Sequence, residues 1–345
     1  MPVTETAIPI GTEAPLKRYQ FNEKRPLSEL NWGNIVAMSL LHLGALFAVG
    51  YYLIRWDLPS WESIWLAAAL YVFCGYGISM GYHRLFTHGS YQTSRVMKAI
   101  LYTAAGLTIE GPAGHWVPTH WYHHEMSDRP GDPHSPYQYP GLKGVGWAHV
   151  GWLFYQVHQP TEVAHKRQWI YRGMPRLQTK YYWVFIVASF AIPFWIAGWD
   201  GLLVAGFLRV VTFLHFTWSI NSLCHAVGET VAVRYRTESG AIKIRKQGDG
   251  SRNVWWLALQ TLGEAYHALH HLFDWVAYHG WGKGALDPTK WLLIVLEKLH
   301  LVWDVKKPPT DYELTEDDFK LKSDSLILAH QAHEQKANAR QALAA

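Results

Sequence analysis

Cysteine is scarce in this chain. Only Cys74 and Cys224 occur, both in apolar surroundings and not in a CxxC pair. This spacing argues against a disulfide framework and a thiolate metal site, and it fits a reducing compartment. Charge of one sign is missing too: 31 Lys and Arg against 27 Asp and Glu leave a net +4, too mild and too dispersed to argue for a nucleic-acid partner. No Ser/His/Asp triad context, phosphate-binding loop or dinucleotide fingerprint is present, nor any solenoid repeat or long low-complexity tract. The opening segment "MPVTETAIPIGTEAPLKRYQFNEKRPLSEL" has no continuous apolar core. It reads as a cytosolic lead-in and not as a signal peptide.

What the chain does have is apolar length. Of its 345 residues 49% are hydrophobic, and 19 are Trp and 19 Tyr. Four apolar stretches run over 35–54, 64–82, 182–199 and 202–220, each near the ~20 residues that cross a bilayer core. They form two tight pairs, joined internally by "RWDLPSWES" and "WDG" and separated by a long polar segment. Lys17, Arg18, Lys24 and Arg25 precede the first pair. Lys143, Lys166, Arg167, Arg172, Arg176 and Lys180 lie between the pairs, and Arg234, Arg236, Lys243, Arg245 and Lys246 follow the second. The positive-inside tendency therefore puts both termini and the central segment in the cytoplasm. Trp and Tyr crowd the expected boundaries, as amphipathic rings do at headgroup level. The runs from Met97 and from Trp291 are too short to span and are expected as interfacial or packed helices. The expected layout is a cytoplasmic segment over 1–31, a membrane domain over 32–310 and a peripheral tail over 311–345.

Histidine supplies the chemistry. "HWYHH" places His120, His123 and His124 within about 100° of a helix, and "HALHH" repeats this with His267, His270 and His271. Within each motif the adjacent pair diverges by ~100°, which suits two neighbouring ions better than one. "HRLFTH" adds His83 and His88, some 140° apart on a regular helix; sharing an ion then requires a helix end or a bulge. Gly89 supports an end there. "NSLCH" brings Asn221 and His225, one turn apart, out of the last apolar stretch. Both membrane pairs thus deliver ligands to the cytoplasmic surface. His42, His115, His149, His158, His165, His215, His279, His300, His330 and His333 read as packed or interfacial residues. Imidazole suits iron, copper, zinc and nickel. The clusters hold too many ligands for one ion, and a dinuclear site with open positions points to oxygen chemistry at iron, with zinc and copper left open by the residues alone.

At this point the pattern resembles the membrane-bound fatty acyl desaturases, closest to the delta-nine, stearoyl-CoA-like branch. "GYHRLFTH", "HWYHH", "SDRPGDPHSP", "NSLCH" and "GEAYHALHH" carry the resemblance, which covers Trp32 to Trp303. It implies an all-α integral membrane protein: four transmembrane helices capped by a cytoplasmic helical domain that holds a histidine-rich diiron centre. The implied ligands are His83, His88, His120, His123, His124, His225, His267, His270 and His271, with Asn221 acting through a water. The implied reaction uses dioxygen to remove two hydrogens from a saturated fatty acyl chain. A bacterial inner membrane is the implied setting. No electron-carrying segment is visible, so a separate electron-transfer protein and reductase are expected. Glu264, Asp128 and Asp132 are candidates to accept imidazole N–H groups, Glu264 because it lies one turn before His267. Arg209, mid-helix in the fourth stretch, calls for a partner that the sequence does not name.

Two motifs depart from the family pattern. Trp121 and Tyr122 fill the second motif where many acyl-CoA-using relatives carry a basic residue, and Ala268 stands where asparagine is common. No CoA headgroup site is therefore carried over. The carrier group remains lipid, CoA, carrier protein or none, and the same cage also serves hydroxylation or oxidative decarboxylation to a terminal alkene. A non-catalytic membrane metal or haem protein is the alternative from another class.

Overall fold

The computed structural model describes residues 20–157, 168–236, 242–246, 248–281, 284–309 and 312–315. The first 19 residues, Lys166, Arg167 and the tail "AHQAHEQKANARQALAA" lie outside the described residues, as do His158, His165, His330 and His333.

The chain is mostly helical. Helix α1 (Trp32–Arg55) starts where the Asn31 side chain accepts from the Asn34 N–H, and α2 (Trp61–Tyr76) starts on Ser60 in the same way. Helix α2 passes without a break into a π-helix over Gly77–Thr87. Next come α3 (Arg95–Gly106), α4 (Ala113–Met126), α5 (Leu142–His149) and α6 (Gly173–Lys180). Helix α7 (Tyr182–Asp200), a π-helix (Gly201–Leu208) and α8 (Arg209–Ser222) follow one another directly. The short α9 (His267–Leu272) and α10 (Pro288–Lys298) complete the set.

Three helical stretches among the described residues are long and apolar enough to cross a membrane: Trp32–Arg55, Trp61–Thr87 and Tyr182–His225. The last has 44 residues, about twice what a crossing needs, and it is a hairpin. The backbone leaves helical geometry at Ala197 and at Gly198, whose φ of +56° suits glycine. Beyond that break Phe190 meets Phe207, ring centroids 4.8 Å apart, and Ser189 reaches Arg209. A Cβ on Gly201 would stand 2.0 Å from the Pro193 carbonyl oxygen, so only glycine lets the limbs close.

The two short links meet at one end of this stem. The Tyr52 hydroxyl and the Ser60 N–H both donate to the Asp200 carboxylate, at 2.7 and 2.9 Å. Outward faces of the stem are apolar: Leu43, Phe47 and Trp195 are exposed, and of α1 only Leu41, Ala45 and Ala48 are buried. The main core lies at the other end. There Met80, Tyr82, Val117, Trp121, Leu269 and Phe273 pack around the histidine motifs.

Arg209 finds its partners inside the stem. It donates to the Ser189 hydroxyl at 2.6 Å and to the carbonyls of Ala205 and Leu107. A buried cation is thus held by oxygens rather than by a carboxylate. The structure also adds sheet to the all-helical expectation. Strand β1 (Gln92–Thr93) pairs antiparallel with β4 (Val302–Trp303), and β2 (Ala232–Arg236) lies between β3 (Ile242–Lys246) and β5 (Tyr312–Thr315), antiparallel to both.

Candidate metal centre

Four segments bring the histidines of the motifs together. The π-helix carries His83, and its end delivers His88, whose N–H donates to the His83 carbonyl at 3.2 Å. Five residues make one such widened turn, so the two rings come within 4.9 Å despite a spacing too long for a regular helix. Helix α4 presents His120, His123 and His124. His225 ends the helical run from α8, and α9 presents His267, His270 and His271. Helix α9 is placed by Asn253, whose side-chain oxygen accepts from the Ala268 and Leu269 N–H groups.

The ring nitrogens form two groups. His83, His88, His120, His124 and His270 make one; His123, His225, His267 and His271 make the other. Adjacent His123 and His124 go to different groups, and so do His270 and His271. In the first group the Nε2 atoms of His83 and His270 are 3.0 Å apart, those of His270 and His124 2.9 Å, and those of His124 and His120 3.1 Å. In the second, His267 Nε2 lies 3.0 Å from both His225 Nε2 and His271 Nε2.

A neutral imidazole has one N–H, and in four of these rings it is committed elsewhere. His83 Nδ1 donates to Glu264, His123 Nδ1 to Asp132 at 3.0 Å, His225 Nδ1 to Asp128 at 2.8 Å and His271 Nδ1 to Asp249 at 2.8 Å. Their Nε2 atoms are then bare lone pairs facing other imidazoles, and His88 Nε2 is buried with no hydrogen-bond partner. Lone pairs so arranged repel unless a cation sits among them. Nitrogens bound at ~2.1 Å lie about 3.0 Å apart at right angles and about 3.4 Å apart at tetrahedral angles. The separations found match that range, so the residues fit two metal ions with no sulfur ligand.

Electrostatics agree with a cation at most of the rings; at His225 burial is outweighed by Asp128 and Asp249, which push it up to about 9. Burial, reinforced by neighbouring imidazoles, holds His88, His120, His124, His267 and His270 well below the usual histidine range. They are therefore neutral and ready to coordinate. Burial alone would raise the Asp249 carboxyl, but His271 beside it holds it well below the ordinary carboxylate range. Burial likewise opposes ionisation of Glu264, yet His279, His83 and Arg84 keep its carboxyl low. Asp132 goes the other way, pushed up to about 7 by burial and by the negative Asp128.

Several positions differ from the sequence expectation. Glu264 accepts from His83 instead of His267, because α9 begins only at His267 and the turn through Gly263, at φ +97°, aims Glu264 towards the π-helix. It also accepts from Ser79 and, at 3.0 Å, from Arg84 Nε. Asp249 was not singled out by spacing, since it lies in a Gly-rich loop far from any motif. His279, read as a packed residue, lies with Nδ1 3.2 Å from Glu264 and its ring 4.4 Å from that of His270. The ring of His134 lies tilted against that of His123, centroids 4.2 Å apart. Trp121 and Tyr122 are buried, Trp121 donating to the Thr87 carbonyl at 2.8 Å, so they pack the core. Asn221 is in neither histidine group and lies on a cavity wall.

That cavity, of about 420 Å³, reaches His120, His134 and Asn221 and continues between stem helices past Ala37, Met38, Ile186, Leu214 and Trp218. Glu110 is the acid in its lining. Its Oε2 accepts from Trp116 Nε1 at 2.9 Å, and burial pushes its carboxyl up to about 7.

A family model described as fatty acid desaturase matches residues 59–283. The chain is 33% identical over 283 residues to the sn-1 stearoyl-lipid 9-desaturase of Anabaena variabilis, covering 81% of this chain and 94% of that one. It is similar to the acyl-CoA C20 Delta5-desaturase of Anemone leveillei, 30% identical over 80% of this chain and 81% of that one. It is also 34% identical to the hex-5-enoyl-[acyl-carrier protein] acetylenase of Moorena producens, over 77% of this chain and 83% of that one.

Proposed function

The chain belongs to the fatty acid desaturase family, and from that premise we propose that it inserts a cis double bond at the delta-9 position of a saturated, lipid-linked fatty acyl chain. The observation that carries the reading is a set of bare imidazole nitrogens, grouped for two ions, at the end of a cavity that continues between apolar stem helices. The 9-desaturase names of relatives such as that of Anabaena variabilis support the position and the lipid carrier. Burial of Trp121 and Tyr122 leaves the second motif without a headgroup contact, which also favours a carrier other than CoA.

In this reading the stem is four transmembrane helices, the two limbs of the Tyr182–His225 hairpin each crossing once. The histidine-bearing end and both termini are cytoplasmic, in a bacterial inner membrane. Two irons are held by His83, His88, His120, His124 and His270 and by His123, His225, His267 and His271. Asn221 holds a water that contacts the second group. When bound, the irons supply the oxidising chemistry: dioxygen, two electrons from a separate carrier protein with its reductase, and two protons leave as two waters together with the two hydrogens of the acyl chain.

The chain's own residues do the rest. Glu264, Asp128, Asp132 and Asp249 fix the rings of His83, His225, His123 and His271 through Nδ1–H, which leaves their Nε2 aimed inward and makes it a better donor of electrons. Saturated methylenes offer no polar handle. The walls at Ala37, Met38, Leu214 and Trp218 therefore position the substrate by shape and keep water from it.

The test is expression with a suitable reductase, followed by mass spectrometry of total lipids and headspace. A new internal double bond that His124→Ala abolishes is expected. A hydroxylated lipid or a volatile terminal alkene would move the reading to the other outcomes of the same cage. A product unchanged in His124→Ala would remove the metal centre from the reaction.

A further inference from the structure

A second cavity lies away from the metal centre. A surface pocket of about 560 Å³ opens between α3 and the start of α6, within the ~300–1,000 Å³ of small-ligand sites. Phe86, Tyr102 and Trp169 form its apolar lining, with Phe86 stacked on Tyr102 at 4.1 Å. Lys98 and Arg172 supply its charge, and no carboxylate lines it. Among the described residues neither cation has a carboxylate partner. Two positive groups in one pocket repel each other, and an anion between them removes that cost.

Its position narrows the anion. Phe86 lies in the last turn of the apolar stretch Trp61–Thr87, and α6 leads directly into the next stretch at Tyr182. The pocket is therefore level with two helix ends, where headgroups lie. Around it α3 is amphipathic: it buries Leu101 and Tyr102 and exposes Val96 and Ile100, 71% and 44%. Exposed apolar residues beside cations that have no carboxylate partner among the described residues are, at this depth, the chemistry of a membrane-surface helix. A soluble anion would gain nothing from Val96 and Ile100, and a zwitterionic headgroup would bring a cation against Lys98 and Arg172.

We propose that this pocket binds the phosphate of an anionic phospholipid from the surrounding bilayer, with Lys98 and Arg172 on the phosphate and the aromatic lining against the glycerol and upper acyl chain. The site is separate from the acyl cavity. It bears on the metal centre through Phe86, which lies between His83 and His88, so a bound lipid braces the first histidine motif from outside.

The experiment places wild type and Lys98→Ala/Arg172→Ala in nanodiscs of phosphatidylcholine with increasing phosphatidylglycerol, reading retained lipid by native mass spectrometry and the thermal midpoint. Phosphatidylglycerol is expected to stay on the wild type and raise its midpoint. Juxtamembrane cations contribute about 1 kcal/mol each, so the double variant should bind it about thirtyfold more weakly. Lys24→Ala/Lys143→Ala, an equal charge change elsewhere, should behave as wild type. Should the alanine pair fold poorly in pure phosphatidylcholine, Lys98→Gln/Arg172→Gln repeats the comparison. Equal responses to the two lipids, or an undiminished phosphatidylglycerol response in both pocket variants, overturns the proposal. Equal stabilisation by inorganic phosphate in detergent overturns the lipid assignment.

Discussion

Glu264→Gln tests whether the two groups of imidazoles are separate metal sites. Glu264 is 4% exposed and serves one group only, through His83. Glutamine keeps the shape and one acceptor oxygen but removes the charge that orients His83. Loss of such a partner weakens metal binding by about 10- to 100-fold, equivalent to about 1.4–2.7 kcal/mol. The fold should survive. Arg84 would lose its contact at 3.0 Å, yet it keeps Asp287 at 3.1 Å and the Ala277 carbonyl at 2.6 Å. Its charge is therefore not orphaned, and the loss should approach the ~1.5–3 kcal/mol of one charge-assisted bond rather than the ~3–5 kcal/mol of a buried pair broken outright. The assay is metal per chain by inductively coupled plasma mass spectrometry across a chelator titration, with the thermal midpoint as the folding control. Wild type should hold two ions, and the variant should fall to one at chelator concentrations that leave wild type full. The second group should keep its ion, because Asp128, Asp132 and Asp249 are untouched. Loss of both ions in one step from a folded variant, or wild-type retention throughout, would refute the reasoning.

The reciprocal change, Asp249→Asn, removes the acceptor 2.8 Å from His271 Nδ1; the same titration should strip the other ion first, and if the order of loss matches that of Glu264→Gln the two-site assignment fails. Glu110, raised from 4.5 to about 7, holds its proton more tightly folded than unfolded, so its contribution is fully present below pH 4.5 and is lost as pH rises through 7. At about 1.36 kcal/mol per unit the difference comes to about 3.4 kcal/mol. Glu110→Gln should thus gain on wild type in thermal midpoint at pH 8.5 and not at pH 4.5, and a gain independent of pH would count against a buried carboxyl. Ser189→Ala takes away the 2.6 Å partner of Arg209 and should cost about 1–3 kcal/mol, read as a lower midpoint; no change would mean that the Leu107 and Ala205 carbonyls hold the charge unaided.

How much of this was legible follows from the range of each interaction. The HxxHH spacings are local, so helical geometry alone shows that the first, fourth and fifth residues share a face and that the adjacent pair diverges. The structure separates His123 from His124 and His270 from His271 in just that sense. The apolar stretches are equally local, although the 64–82 stretch in fact runs on to Thr87, because the π-helix continues the helix through the motif. That π-helix was beyond reach of the pattern: nothing in "HRLFTH" distinguishes a widened turn from a helix end. Contacts made through space were legible only in part: Asp128 and Asp132 do accept imidazole N–H groups, as their places after the second motif suggest, but other partners were out of reach. Glu264 lies three residues before His267, yet it serves His83, 181 positions away, because Leu262 and Gly263, both at positive φ, turn the chain before α9 begins. Asp249 reaches His271 from a loop with no motif, and Arg209 is satisfied partly by carbonyls, which leave no mark in a sequence. The imidazoles could be found from spacing because their geometry is that of one helical turn. Of their carboxylate partners, Glu264, Asp128 and Asp132 could be named from their nearness to the motifs, but which ring each serves, and Asp249 altogether, is set by the packing of one element on another; these partners decide which nitrogen faces the metal.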